Sequence, residues 1–260
     1  MTPDRLTRFA RHIVLPEVGG AGQMALSQAR VTMIGCGGIG SPALQYLAAA
    51  GVGTLTLIDD DVVEESNLQR QTIFSTADVG TSKVQAAARW IERFDPAISV
   101  TTHQTRITAD NAAALIGAPT LVLDGCDNFS TRLAVSDACV KLAIPLASAA
   151  VGRFQGQVAN FAGHLPDQPC YRCYVGDAFD AQECDTCAAD GVLGAFVGVV
   201  GTMAAMSAIR IILGAAGVAS FGGASLADPQ WGKIQLIDGL ASSLRTIVLP
   251  HDPACQVCSA

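Results

Sequence analysis

From residue 30 to residue 150 the chain alternates short apolar runs with longer stretches of helical spacing. The runs 31–35, 54–58, 98–102 and 120–124 read as strands, and the segments 41–50, 82–94 and 110–117 between them read as helices. Such alternation predicts a parallel sheet covered by helices. Residues 145–150 continue it, and then the pattern changes: 152–162, 233–238 and 243–248 look like antiparallel strands. The expected fold is α/β, a mostly parallel sheet with flanking helices and a C-terminal mixed, antiparallel extension. Residues 1–29 read as helical, with a break at Pro16–Gly22. No internal repeat or flexible linker divides the chain, so residues 1–260 are read as a single domain.

One stretch invites a different reading. Gly191–Ile209 holds 19 residues without a charge, close to the roughly 20 that cross a bilayer. Gly and Ala dominate it, Arg210 ends it, and no second span accompanies it, so a core helix or a subunit interface is the expectation. Gly194, Gly198 and Gly201 would let another backbone approach closely.

Candidate chemistry begins where the first strand ends. Val31–Ile34 runs into Gly35, Gly37, Gly38 and Gly40, and Pro42 suits the first turn of the helix that follows. Glycines let backbone approach a ligand, and the free amides and dipole of a helix N-terminus favour a phosphate. The next apolar run ends at Asp59, 19 residues after Gly40, near the spacing of about 20 at which a carboxylate grips a ribose hydroxyl. These are marks of a Rossmann-like unit, and alone they fit an oxidoreductase holding NAD as well as anything else. The residues beyond Asp59 change the balance. Asn67, Arg70 and Lys83 serve little purpose for a pyrophosphate already resting on helix amides, whereas the outer phosphates of a triphosphate need cations and amide donors. The competing reading of Arg70 and Lys83 is as solvated surface charges.

A second site element follows the run 120–123. Asp124, Gly125 and Asp127 lie past its C-terminal end, where open parallel sheets bind ligands. Asp127 suits a hard dication that also takes phosphate oxygens. It equally suits the cap of the helix beginning FSTRLAVSDACV.

Charge and cysteine usage narrow the partners. A formal net charge of −7 and a pI near 4.9 argue against general affinity for nucleic acid or anionic membranes. Half the residues are apolar, enough for a sizeable core. Met1–Arg11 contains no signal-peptide core, so a cytoplasmic location is expected. Nine cysteines in that compartment point to metal binding or reactive thiols rather than disulfides. Three Cys-x2-Cys pairs occur, at 170 and 173, 184 and 187, and 255 and 258; two of them make a closed tetrahedral zinc site, and spacing leaves open which two. Cys36, Cys126 and Cys139 read as small packing residues, the first two bordering the nucleotide.

The segments RFARHI, GCGGIGSPALQYLAAAGVG, LTLIDDD, SNLQRQ, VGTSKVQAA, LVLDGCDNFSTR, PCYRC, TCAADGVLG and CQVC follow one another across nearly the whole chain. In them the chain resembles the MoeB/ThiF/HesA adenylyltransferases, bacterial relatives of the ubiquitin-activating enzymes. The resemblance implies ATP and Mg2+, with AMP joined to the C-terminal glycine carboxylate of a small ubiquitin-like sulfur carrier. That partner would be MoaD- or ThiS-like with a terminal Gly-Gly, and the acyl-adenylate would lead to a thiocarboxylate for molybdopterin or thiamine biosynthesis. The implied nucleotide set is the Gly35, Gly37, Gly38, Gly40 turn for phosphates, Asp59 for ribose, and Asn67, Arg70 and Lys83 for the triphosphate. Asp61, Ser66, Leu68, Gln69 and Asn128 complete that set, and Asp127 would bind magnesium. Arg11 would reach into the site of a second subunit, which requires a homodimer. Zn2+ would sit on Cys170, Cys173, Cys255 and Cys258. The chain divides on this view into a helical segment, 1–29, a nucleotide-binding part, 30–150, and a carrier-binding and zinc part, 151–260.

Cys187 matches a crossover-loop cysteine that forms a thioester or acyl-disulfide in some relatives. Glu183, Asp185 and Asp190 oppose its ionisation, so a passive or redox-sensitive thiol competes with a catalytic one. The chain departs from the family pattern at Phe9, commonly Tyr, and at His12, usually Gln, which puts the contacts of Arg11 in question. Only Ser259 and Ala260 follow Cys258, leaving no room for a fused rhodanese-like domain, so a separate sulfur donor is expected. An NAD-dependent oxidoreductase, a non-catalytic nucleotide-binding scaffold, and an enzyme adenylating a small molecule or RNA remain the alternatives.

Overall fold

The computed structural model describes residues 1–176, 191–218 and 225–259. It opens with α1 (Pro3–Arg8), α2 (Ala10–Ile13) and α3 (Gly19–Gln28). Then β1 (Arg30–Ile34), α4 (Gly40–Ala50), β2 (Thr54–Ile58), α5 (Lys83–Phe94), β3 (Ser99–His103), α6 (Ala112–Ile116), β4 (Leu121–Asp124) and α7 (Phe129–Lys141) alternate. After them come β5 (Leu146–Gly152), β6 (Gln155–Phe161), α8 (Tyr171–Val175), α9 (Gly194–Ala215), β7 (Lys233–Asp238) and β8 (Ser243–Val248).

All eight strands form one sheet, in the order β3-β2-β1-β4-β5-β6-β7-β8. The first five are parallel and the last three antiparallel, as the change of pattern near residue 150 predicts. Because β1 lies between β2 and β4, the chain leaves it toward one side and returns on the other, opening a crevice at the carboxyl ends of β1 and β4.

Alternation along the strands sorts two cores. Met33, Leu57, Leu121 and Leu123 face a cluster with Leu44, Leu47, Ile91, Val200 and Ile211, whereas Ile34, Ile58 and Val122 face one with Val135, Phe161 and Tyr171. Helices α4, α5 and α9 therefore cover one face, and α6, α7 and α8 the other. The uncharged run becomes α9, which packs on α4, α3 and strands β4 to β6. Its apolar character serves that packing. Gly201 is small because a Cβ there would run into Pro42 and the Ile39 carbonyl. Val199 and Met206, both 48% exposed, mark an outward stripe.

The N-terminal segment differs from expectation in one respect. The break lies at residues 14–18, and the glycines from Gly19 to Gly22 begin α3 instead of ending a helix. A Cβ on Gly22 would stand 3.0 Å from Leu213 of α9 and 3.2 Å from Val18, so close packing outweighs the low helix propensity of glycine. The arm before it docks at the amino ends of the strands. Arg5 and Arg8 pair with buried Asp95 at the end of α5, and the Phe9 ring lies against Gly51 at the end of α4. His12 Nδ1 bonds Gln23 Oε1 at 3.0 Å, and Gln23 Nε2 donates to the Ala50 carbonyl at 2.8 Å. His12 thus takes a defined partner where the family usually has Gln.

Candidate active site

The turn between β1 and α4 is held from two sides. Gly35 adopts φ +82°, a left-handed conformation that suits glycine, and its N–H donates to the Ile58 carbonyl at 2.9 Å. A Cβ on Gly40 would collide with the Gly35 carbonyl, so α4 can start this tightly only with glycine there. The Gly37 and Gly38 amides donate to no group among the described residues and lie at the amino end of α4. They are free for an anion.

Asp59, at the end of β2, ties this turn to the next strand. Its Oδ2 accepts from the Cys36 N–H at 2.7 Å and its Oδ1 from the Asp61 N–H at 2.9 Å. Burial raises its carboxyl above the usual range, and Lys83 works against that rise. The Cys36 thiol is pushed well up by burial and then by Asp59, and burial and Asp124 do the same to Cys126. Both are packing residues beside the site rather than nucleophiles.

The segment after Asp59 folds back over the glycine turn. A short 3-10 turn, Glu65–Asn67, carries a reciprocal cap between Glu64 and Asn67. Leu68 packs into the core while Ser66 and Gln69 remain exposed. Arg70 lays its aliphatic stem over Gly38 and sends Nη1 to the Ser66 carbonyl at 3.1 Å. Lys83, only 6% exposed at the start of α5, pairs through Nζ with Asp61 Oδ2 at 2.6 Å. A buried lysine on an exposed carboxylate is no solvated surface charge. The sequence-predicted residues from Gly35 to Gly40, Asp59, Asp61, Ser66 to Arg70 and Lys83 therefore converge on one end of the sheet.

At β4 the structure separates two roles that residue type left open. Asn128 is the helix cap, its Oδ1 accepting from Thr131 N at 2.9 Å and from Ser130 Oγ at 2.6 Å. Asp127 is exposed and makes no hydrogen bond or ion pair within the described residues. Its carboxylate is free for a ligand. The loop bearing it is clamped from below by Arg132, which sequence reading missed. Arg132 Nη2 donates to the Cys126 carbonyl and, at 2.7 Å, to the Ala149 carbonyl of β5, while Nη1 stands 3.9 Å from Asp124 Oδ2. Asp124 Oδ1 accepts from Cys126 N at 3.0 Å. An apolar strand ending in Asp, with Arg eight residues later on the following helix, was the available signal.

Beside this crevice the antiparallel extension forms a cavity of about 500 Å³. Register explains its lining: Ala150, Gln157, Leu236 and Arg245 stand in one row across four strands, and Gly152, Gln155, Asp238 and Ser243 in another. Gly156, between the rows, faces Phe196 and Val200, so the cavity lies on the sheet face opposite α9.

The four sulfurs of Cys170, Cys173, Cys255 and Cys258 all lie within 4.8 Å of one another. Three of the separations are 3.9, 3.6 and 3.4 Å, near the roughly 3.8 Å between sulfurs of a tetrahedron with zinc–sulfur bonds of about 2.3 Å. The donors fit zinc, and the outer two pairs are the ones that meet. Cys184 and Cys187 lie outside the described residues. Arg11 is exposed on the docked arm. Its neighbours Phe9 and His12 dock at the amino ends of the strands, whereas the glycine turn lies at the carboxyl end of β1.

Geometry of this kind defines an α/β protein of the Rossmann-like class. The chain belongs to the ThiF family, which matches residues 9–257. It is 38% identical over 262 residues to a sulfur carrier protein adenylyltransferase of Thermus thermophilus, covering 99% of this chain and 92% of that protein. It is 44% identical over 174 residues to the SAMP-activating enzyme E1 of Haloferax volcanii, 67% of this chain and 63% of that one. A probable adenylyltransferase/sulfurtransferase MoeZ of Mycobacterium tuberculosis is 46% identical over 64% of this chain but only 43% of its own length. The matches to the last two thus span less than two thirds of those proteins. The fold is shared with the crystal structure of Escherichia coli MccB with ATP, at TM-score 0.81 and 22% identity, covering 97% of this chain and 75% of MccB.

Proposed function

We propose that this protein is an ATP-dependent adenylyltransferase that activates the C-terminal glycine carboxylate of a small ubiquitin-like sulfur carrier. One observation carries the reading. Arg70 and the buried Lys83 converge on a glycine turn whose Gly37 and Gly38 amides are unpaired among the described residues, which supports a reading in which two cations meet the outer phosphates of ATP. A nicotinamide dinucleotide, its pyrophosphate already resting on the helix amides, has no outer phosphates for them to neutralise.

In this reading the triphosphate rests on the Gly37 and Gly38 amides with the ribose on Asp59. The carrier's carboxylate, already ionised, attacks the α-phosphorus; its oxygen bonds to phosphorus while the bridging oxygen to the β-phosphorus leaves with pyrophosphate. No general base is needed. Catalysis comes from aligning two anions and stabilising the departing charge, which falls to Arg70 and Lys83. Lys83 must exchange Asp61 for phosphate, and Asp61 is 58% exposed, so water takes over solvating it. Asp127 is the residue to hold magnesium, which would neutralise phosphate charge when bound. Zinc held by the four cysteines would have no open position for catalysis and would serve structure, pinning residues 255–258 to α8.

The cavity beside the metal loop suits an extended polar tail. Its rows begin at Ala150, two residues beyond the β5 partner of Asp124, so a tail lying there would point its end at the crevice. Arg11 acts on a second subunit, because its own arm is fixed at the far end of the sheet. The exposed apolar stripe of α9 supports such a homodimer. The adenylate passes to thiocarboxylate with sulfur from a separate donor, for a molybdopterin or thiamine pathway, in a cytoplasmic setting. Cys187 is proposed as an acceptor of the activated carrier only if its substitution abolishes that transfer.

ATP–pyrophosphate exchange with each candidate carrier tests the proposal. Exchange that depends on the carrier and its terminal glycine is expected. Tight NAD binding without exchange would return the chain to the oxidoreductases, and ATP binding without exchange would make it a scaffold.

A further inference from the structure

In the SNLQRQ segment the final residue, Gln71, has no role in the site as described so far. It is 2% exposed. Its backbone is satisfied, N–H to the Asn67 carbonyl at 3.0 Å and carbonyl from the Phe74 N–H at 3.1 Å. The side chain is not. Oε1 is buried without a partner, and Nε2 bonds nothing among the described residues. Nε2 is thus a donor without an acceptor, and it is this end of the carboxamide, not Oε1, that an acceptor-only group such as a phosphate could match.

Its position points to such a group. Nε2 lies 3.5 Å from the point where a Cβ on Gly37 would stand, making it the nearest neighbour of that glycine's missing side chain. Gly37 and Gly38 present their own amides unpaired at the same place. The pattern recurs around the turn: five buried side-chain atoms lack partners among the described residues, and besides Gln71 two of them belong to Ser41, next to Gly40, and Ser82, next to Lys83. Unmatched polarity is thus concentrated on the segments that enclose the nucleotide.

We propose that Gln71 is a further nucleotide-binding residue, whose side-chain amide donates to a phosphate oxygen seated on the Gly37 and Gly38 amides. The inference rests on the reading of this turn as a triphosphate site. A carboxamide suits the place better than a third cation would, because it adds a donor without repelling Lys83 and Arg70. No bond of the reaction is made or broken at this contact. It forms with bound ATP and persists through the transition state, so it lowers KM and leaves kcat nearly alone.

Titrating the whole protein and its Gln71→Ala and Gln71→Glu variants with magnesium ATP, and separately with adenosine, tests the proposal. Gln71→Ala should weaken ATP about 10- to 100-fold, the range for a hydrogen bond to a charged group, and leave adenosine unchanged. Gln71→Glu should weaken ATP further, since it sets a carboxylate against phosphate. In pyrophosphate exchange the loss should fall on KM for ATP. Unchanged ATP affinity in Gln71→Ala overturns the assignment. Equal loss for ATP and adenosine also overturns it, because the side chain would then merely shape the pocket. A wild-type protein that binds no ATP removes the triphosphate reading itself, which is a different failure from a variant that binds as well as wild type.

Discussion

Arg132→Met removes the cation from beneath the metal loop while keeping an unbranched side chain of similar reach. The groups that lose a partner include the Asp124 carboxylate, 1% exposed, the Ser148 and Tyr171 hydroxyls, and the carbonyls of Cys126 and Ala149. Breaking a buried ion pair from one side costs about 3–5 kcal/mol, chiefly for the uncompensated charge left behind. At about 2–4 °C per kcal/mol for a chain of this size, the melting temperature should drop by about 10 °C. The companion variant Arg132→Met/Asp124→Asn isolates the charge. Asn keeps an oxygen for the Cys126 N–H, which Asp124 accepts at 3.0 Å, and its amide can donate to Ser148 Oγ, 3.4 Å from Oδ2. The double variant should therefore recover at least half of the lost stability, a strongly non-additive result. Denaturant unfolding of the wild type, both single variants and the double variant measures the cycle. A single-variant loss under about 1 kcal/mol, or additive losses, would refute the account of a buried charge clamp.

Asp127→Ala should abolish magnesium-dependent pyrophosphate exchange with no change in melting temperature, since the residue is exposed and makes no internal bond; retained exchange removes it from the site. Mixing Arg11→Ala with Lys83→Ala, each inactive alone, should restore about a quarter of wild-type activity, because half of the randomly formed dimers carry one intact site; no recovery argues against action across subunits. Zinc should be found at one equivalent per chain, and its removal or Cys173→Ser should lower the melting temperature; a metal-free protein of equal stability would contradict the site. ATP affinity should fall on acidification through a midpoint above the ordinary Asp value of about 3.9, because Asp59 must be ionised to accept from ribose and burial raises its carboxyl. The sign for folding is opposite: protonated Asp59 is the form that burial favours, so its contribution to stability falls as pH rises through the interval between the unfolded and folded values. A midpoint at or below 3.9, or an unchanged profile in Asp59→Asn, counts against this role.

Much of this protein can be read from local pattern. The strands, their order of type and the helices between them follow from apolar runs whose period and length leave little choice, and the glycine turn follows from a left-handed backbone at Gly35 and a contact at Gly40 that leaves no room for a Cβ. Asp59 and the three Cys-x2-Cys pairs stand out because their spacing matches a ribose carboxylate and metal-ligand pairs, but only the fold brings 170 and 173 to 255 and 258. What the chain order could not decide are matters of convergence. Asp127 and Asn128 are equally good caps by residue type, and only the packing of α7 assigned the cap to Asn128 and left Asp127 free. Lys83 reads like any surface lysine until α5 is docked on the sheet and buries it. Pro16–Gly22 looks like a break, yet the contact of Gly22 with Leu213 makes its second half a helix. The clamp of Arg132 joins residues from β4, β5 and α7, and the cavity rows join four strands. Such arrangements depend on register and packing across segments far apart in the chain, quantities that composition and spacing do not encode, because a side chain's neighbours are set by the fold as a whole.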